Sequence, residues 1–151
     1  YERDLVAAVC AAIDMFDCVL PTRNGRNASA FTTTGQIRLR NARFTEDPLP
    51  IEPGCDCHAC DPARHGWTVP APFSRAYLRH LFMAGEMLGP ILVTLHNLRH
   101  FQRLMVDLRA SIAQDSWIDF ARRWPVAAAG LPPDLLATAG GSAGPSARNT
   151  Q

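Results

Sequence analysis

The sequence predicts an α/β fold with a largely helical second part, and three observations carry that expectation. Leu5, Val6, Val9 and Ile13 recur at helical spacing, residues 15–20 form a short apolar run, and Pro21 stops that run ahead of a basic stretch. Helix, buried strand and loop in this order make the αβ half of a βαβ repeat. In α/β proteins chemistry gathers at the carboxyl ends of strands, which here falls on residues 17–26.

The remaining elements follow in order. Residues 31–43 read as a second β region: Thr32, Thr33, Thr34 and Gly35 suit a turn, after which Ile37 and Leu39 alternate with Arg38 and Arg40, putting both arginines on one face. Residues 46–72 are rich in proline, glycine and acids, without sustained periodicity, and read as loop. A helix is expected over 74–88, with Ser74 as N-cap, Tyr77, Leu78, Leu81 and Phe82 along one side, and Gly89-Pro90 as its break. A longer helix is expected over 91–112, with Leu92, Leu95, Leu98, Met105, Leu108 and Ile112 as its apolar stripe. Ser116 and Asp119 resemble a capping box opening a short helix that ends by Pro125. Beyond it the Ala, Gly, Pro and Ser content predicts a disordered tail, 125–151, too poor in apolar surface to offset its ordering entropy.

At 151 residues, 47% hydrophobic and 19% charged, the chain has the composition of one soluble globular domain. Its formal net charge of +1 excludes any argument for nucleic-acid affinity from total charge, so such an argument must rest on local arginine clusters. The sequence opens on Tyr1 and has no signal-like segment or apolar run long enough to span a bilayer, which predicts a cytoplasmic protein, no membrane partner and a longer parent chain.

Three of the five cysteines lie in Cys55-Asp56-Cys57-His58-Ala59-Cys60, too close together to pair conveniently. In a reducing compartment this spacing reads as metal ligands. Three thiolates fill three corners of a zinc tetrahedron, and a fourth ligand must come from His58, His65, His80, His96 or His100. His96 is preferred because it stands near the start of the long helix, where packing holds a ligand in place before the metal arrives. An ordinary buried or capping histidine is the alternative there. A closed set of four protein ligands would be structural, with no open position for a reacting water.

Asp17 is the candidate for chemistry, because a carboxylate inside an apolar strand must be satisfied or must act. The competing reading is an aspartate capping the loop after Pro21. Cys18, on the opposite face of the expected strand and with no base beside it, is expected to be a small buried hydrophobe. Arg23 and Arg26, interleaved with Asn24, Gly25 and Asn27, suit contact with a phosphate backbone, and Arg38, Arg40 and Arg43 add a second group. A solvated basic surface is the bland alternative for both.

The run from Asp14 through Asp17, Pro21, Thr22, Arg23, Asn24, Gly25 and Arg26 to Asn27 resembles the C-terminal part of tRNA-guanine transglycosylases, the queuine tRNA-ribosyltransferases, with bacterial wording in Asn24 to Asn27. So do Gly35-Gln36-Ile37, Arg40-Asn41-Ala42-Arg43, the cysteine cluster, Ser74-Arg75-Ala76-Tyr77-Leu78 and His96-Asn97. The resemblance is collinear from Tyr1 to about Trp124. It implies the C-terminal part of a (β/α)₈ TIM barrel with a mostly helical zinc-binding subdomain. The expected division is 1–45 for the last helix-strand portion of the barrel, 46–124 for the zinc subdomain and 125–151 for the tail.

The implied activity is exchange of guanine at the wobble position of tRNAs with a GUN anticodon for a 7-deazaguanine precursor of queuosine, preQ1. The resemblance places the covalent nucleophile on Asp17, the RNA-reading loop on Thr22, Arg23, Asn24, Gly25 and Arg26, and one structural Zn²⁺ on Cys55, Cys57, Cys60 and His96. It also implies a homodimer, for which the helix carrying Tyr77 and His80 is the candidate face. A whole barrel needs about 250 residues, so this chain is expected to be inactive alone. The alternative is a non-catalytic, zinc-stabilised RNA-binding accessory subunit. Residues 61–73 are longer and richer in proline and glycine than the family's connection, and the resemblance gives them no role.

Overall fold

Everything in the fold is arranged along one helix. In the computed structural model, which describes residues 1–69 and 71–137, α4 (Leu88–Gln114) runs for 27 residues, about 40 Å. Its inner face is Leu92, Val93, His96, Asn97, His100, Leu104, Leu108 and Ser111, a continuous stripe at three- and four-residue spacing. The expected stripe is rotated: Leu98 and Ile112 are 40% and 54% exposed, while His96, Asn97 and His100 are fully buried. Polar groups hold those inner positions because each side chain has a hydrogen-bond partner, although His100 Nδ1 is left without one.

Around the N-terminal half of α4 lies one apolar core, Leu39, Ile51, Leu78, Leu81, Phe82, Leu92 and Val93 among its members, together with the three clustered cysteines. A two-stranded antiparallel hairpin, β1 (Ser29–Thr32) with β2 (Gly35–Arg38), closes one side, and its register pairs Ser29 with Arg38 and Thr32 with Gly35. The hairpin confirms the turn read from the threonines, with Gly35 at φ +133° where a side chain would be strained. Arg38 and Arg40 are both exposed and Leu39 is buried. The cysteine region is loop, as expected.

Helix α3 (Arg75–Ala84) packs beside α4 and is capped by Ser74, whose Oγ accepts a hydrogen bond from the Tyr77 N–H at 3.0 Å. It ends at Gly85, in the left-handed region at φ +77°, earlier than the expected break at Gly89-Pro90. Those two residues sit in the first turn of α4, where a proline removes no hydrogen bond. Around the C-terminal half of α4 a second core joins Val6 of α1 (Glu2–Cys10) to Leu104, Leu108, Trp117, Phe120, Trp124, Ala127 and Leu131. Helix α5 (Trp117–Arg123) starts without a side-chain cap, so the capping box expected at Ser116 does not form.

Three expectations change. Residues 11–19 form no strand and are exposed throughout, Met15 at 88%, because a strand needs a hydrogen-bonded neighbour and the described residues place none beside it. The stretch after them is not a loop but a two-turn helix, α2 (Leu20–Arg26), with Pro21 in its first turn. The first part of the expected tail is folded. Two further helices, α6 (Pro125–Ala128) and α7 (Pro133–Ala137), follow α5, and Trp124, Ala127 and Leu131 are buried. Gly130 meets the backbone of Arg3 so closely that a Cβ there would lie 2.8 Å from the Arg3 carbonyl carbon. The rest of the expected tail, 138–151, lies outside the described residues. Among the described residues no helix is long and apolar enough to cross a membrane.

Candidate metal centre and the acidic arm

The loop brings Cys55, Cys57 and Cys60 onto the N-terminal half of α4, where His96 faces them. The His96 Nδ1 lies 3.7, 3.4 and 3.6 Å from the three Sγ atoms in chain order, and the four ligand atoms lie within 4.8 Å of one another. A tetrahedral ion with metal–sulfur bonds near 2.3 Å and metal–nitrogen bonds near 2.05 Å would set these nitrogen–sulfur edges at about 3.6 Å. All four residues are buried. The group could hold a metal ion, and its nitrogen–sulfur edges match those of such a site.

The surroundings fix each donor. His96 Nε2 donates to the Phe31 carbonyl at 2.8 Å, which leaves Nδ1 turned to the sulfurs. Asp56, between two of the cysteines, is gripped by Arg99, one turn along α4 from His96, through bonds of 2.7 and 2.6 Å in a two-pronged pair. The Arg99 guanidinium holds the Asp56 carboxyl below the usual carboxylate range.

The electrostatics of the cluster call for a cation. Hydrogen bonds from Cys57 and Cys60 pull the Cys55 thiol down, and the same bonds to Cys55 and Cys57 push Cys60 up, since three thiolates do not ionise together in one buried site. Burial disfavours a charged His96, but the Cys55 and Cys57 sulfurs outweigh it and push its pKa up to about 10.

Asn97, next to His96, ties this centre to the acidic arm. Its Oδ1 accepts from the Phe31 N–H at 3.0 Å, and its Nδ2 donates to the carbonyls of Pro21 and Ser29, both at 2.9 Å. Asn97 thus anchors the first turn of α2, four residues beyond Asp17. Gly25 completes the attachment: a Cβ there would stand 2.7 Å from the Thr94 Cα, so α2 lies directly against α4.

Asp17 itself is exposed, with no hydrogen bond or ion pair among the described residues, and is not the buried strand carboxylate expected. Cys18 is exposed as well, with its Sγ accepting from the Leu20 N–H at 3.4 Å, so it is not the buried hydrophobe expected. Arg23 and Arg26 are exposed on the last turn of α2; Thr22 turns its hydroxyl to the Val19 carbonyl at 3.1 Å; Asn24 is half-buried and Gly25 buried. His80 is exposed on α3, and His100 is buried against Glu2 at 3.1 Å, away from the sulfurs. The roles of Asn97, Asp56 and Arg99 escape sequence reading. The only local signal is Asn97 beside His96, since its partners lie 66 to 76 residues away.

A set of three cysteines and one histidine, brought together between a loop and a long helix beside a short hairpin, defines a protein with a candidate metal-binding centre. The chain belongs to the queuine tRNA-ribosyltransferase family, whose sequence pattern matches residues 1–128. Over 133 residues it is 47% identical to the queuine tRNA-ribosyltransferase of Xanthomonas euvesicatoria pv. vesicatoria (strain 85-10), covering 88% of this chain and 32% of that protein. It is 46% identical, over the same shares, to the protein of that name from Xanthomonas oryzae pv. oryzae (strain PXO99A). The chain spans about a third of the length of the curated relatives it matches.

Proposed function

We propose that this chain is the nucleophile-bearing and metal-binding portion of a tRNA-guanine transglycosylase, the remainder being supplied by the rest of a (β/α)₈ barrel. In that enzyme Asp17 attacks the ribose anomeric carbon of the wobble guanosine, the bond to guanine breaks, and an aspartyl-ribose ester forms through an oxocarbenium-like transition state. Attack by the incoming 7-deazaguanine base, preQ1, then breaks that ester and frees the carboxylate. The target nucleotide must leave its stack to be reached. Arg23 and Arg26 hold the phosphates of the splayed anticodon of a GUN tRNA, and zinc in the Cys₃His centre is structural.

The observation that carries this reading is the placement of Asp17. It is an exposed carboxylate with no hydrogen bond or ion pair among the described residues, on an apolar arm beside which the described residues place no strand, directly ahead of the arginine-bearing α2. An accessory subunit without chemistry has no use for such a group, so the family match and the free acid together favour the enzyme. Ile13, Phe16 and Val19, at 47%, 39% and 56% exposure, supply the apolar edge that neighbouring barrel strands would cover. Tyr77, Met83, Met87 and Ile91, all more than 40% exposed along α3 and the start of α4, form the surface for a homodimer. A tRNA substrate places the enzyme in the cytoplasm.

The test has two arms, both scored by incorporation of labelled guanine into GUN tRNA. The isolated chain incorporates none, and incorporation would refute its incompleteness. In the longer enzyme carrying this segment, Asp17→Asn abolishes both exchange and the RNA adduct on a denaturing gel; a surviving adduct would assign the nucleophile elsewhere.

A further inference from the structure

The proline- and glycine-rich segment between the metal loop and α3, residues 61–69 and 71–73, folds back on the metal loop. After Cys60 a single 3₁₀ turn, Ala63–His65, ends at Gly66 in the left-handed region, φ +76°, and this reverses the chain so that both His65 and Trp67 face the cysteines' loop. The loop has three residues between its ligands, and the segment fastens every one of them. The Asp56 carbonyl accepts from His65 Nε2 at 2.8 Å. The His58 ring stacks on the His65 ring, centroids 3.7 Å apart, and meets the Trp67 ring edge-on at 6.4 Å. The Ala59 carbonyl accepts from the Phe73 N–H at 3.0 Å. Trp67 is itself held, half-buried on the apolar core and edge-on to Phe73, which stacks on Tyr77 of α3.

We propose that residues 61–73 are a latch that slows release of the bound metal, with His65 and Trp67 as its positioning residues. A metal leaves such a site when a thiolate swings off and an incoming ligand takes its place. That swing requires the loop between the cysteines to move, and the latch opposes it from both sides of Cys57. His65 and Trp67 are not members of the Cys₃His donor group, so they act on the rate of opening and leave the donor set unchanged. The inference rests on the reading of the Cys₃His group as a zinc site.

The experiment loads the full chain with zinc and follows transfer to excess 4-(2-pyridylazo)resorcinol by absorbance, with zinc content and far-UV helicity measured beforehand. His65→Ala and Trp67→Ala each hold one zinc per chain and release it about five- to tenfold faster than the parent, the change expected from losing one hydrogen bond or one aromatic contact. Release by both variants at the parent's rate overturns the latch. Should His65→Ala fail to fold, His65→Gln, which keeps an N–H donor but lacks the stacking face, decides: faster release supports the latch and parental release overturns it. A parent chain that takes up no zinc overturns the metal reading and the latch with it, whereas a parent that holds zinc no longer than its variants overturns the latch alone.

Discussion

The two halves of α4 bury different chemistry. The N-terminal half covers thiols, an imidazole and an amide, each held by a directed bond, in a region where loop outweighs regular structure. The C-terminal half covers Leu104 and Leu108 with Trp117, Phe120, Trp124 and Val6, and every contacting element is a helix or its immediate end. An amphipathic helix packs against its neighbours without help, but a proline- and glycine-rich loop gains too little from burial to offset its ordering entropy. The first half is therefore expected to depend on a bound metal, and the second is not.

Metal removal separates the halves most strongly. Structural zinc contributes roughly 10–16 kcal/mol in small zinc-dependent peptides, more than the whole stability of most domains. After chelation, or in Cys57→Ser, amide protection is expected to vanish across 28–60 and α3 and to persist in α1 and α5 when followed by hydrogen exchange. Equal loss along the chain would mean that the two cores unfold as one unit.

The reverse perturbation is Trp124→Ala. The indole is 1% exposed, and its N–H donates to Asp107 at 2.8 Å, so its removal leaves a large cavity and takes one of two partners from Asp107, which keeps Arg123 at 2.9 Å. A destabilisation of about 3–5 kcal/mol is expected in denaturant unfolding, with zinc content unchanged at one per chain. Loss of zinc in this variant would contradict the independence of the first half.

Asn97→Ala acts on the link between the metal centre and the acidic arm. It strands the Phe31 N–H and the Ser29 carbonyl, buried groups whose desolvation goes uncompensated, and removes a second bond from the Pro21 carbonyl in the first turn of α2. A loss of about 2–4 kcal/mol is expected by urea unfolding, with the metal retained, because His96 keeps its own bond to Phe31. If zinc leaves along with α2, Asn97 supports the ligands as well as the arm.

The same contrast explains what the sequence disclosed. Helices α1, α3 and α4 announce themselves through periodicity, and the cysteine spacing marks the metal loop because three thiols so close together have few other uses. The acidic arm misled because its apolar run satisfies the strand pattern, whereas a strand exists only where a neighbour supplies hydrogen bonds. Pro21 misled because the residue that ends one element equally well opens the next. The inner stripe of α4 was hidden because His96, Asn97 and His100 read as polar until their distant partners are in place. The folded part of the C-terminal tail was hidden because its buried residues, Ala127 and Leu131, are few and match the close approach at Gly130 more than any periodic pattern.

The finest test concerns two neighbours in α2 to which the resemblance gives the same RNA-reading role. Gly25 is buried with its Cα turned to Thr94, and an added methyl would stand 2.8 Å from the Thr94 backbone nitrogen, a contact that only a shift of α2 relieves. Arg26 is exposed, on the helix's last turn, with no ion pair among the described residues. Gly25→Ala is therefore expected to lower stability by about 1–3 kcal/mol through overpacking. Arg26→Ala is expected to change it by no more than about 0.5 kcal/mol. Under the proposed function the order is expected to reverse for salt dependence in the longer enzyme: Arg26→Ala should weaken tRNA binding and lower its salt slope by about one. Gly25→Ala weakens binding only as far as it displaces α2, leaving that slope unchanged. A neutral effect of Gly25→Ala on stability would return this glycine to the RNA surface and detach α2 from the metal-held half.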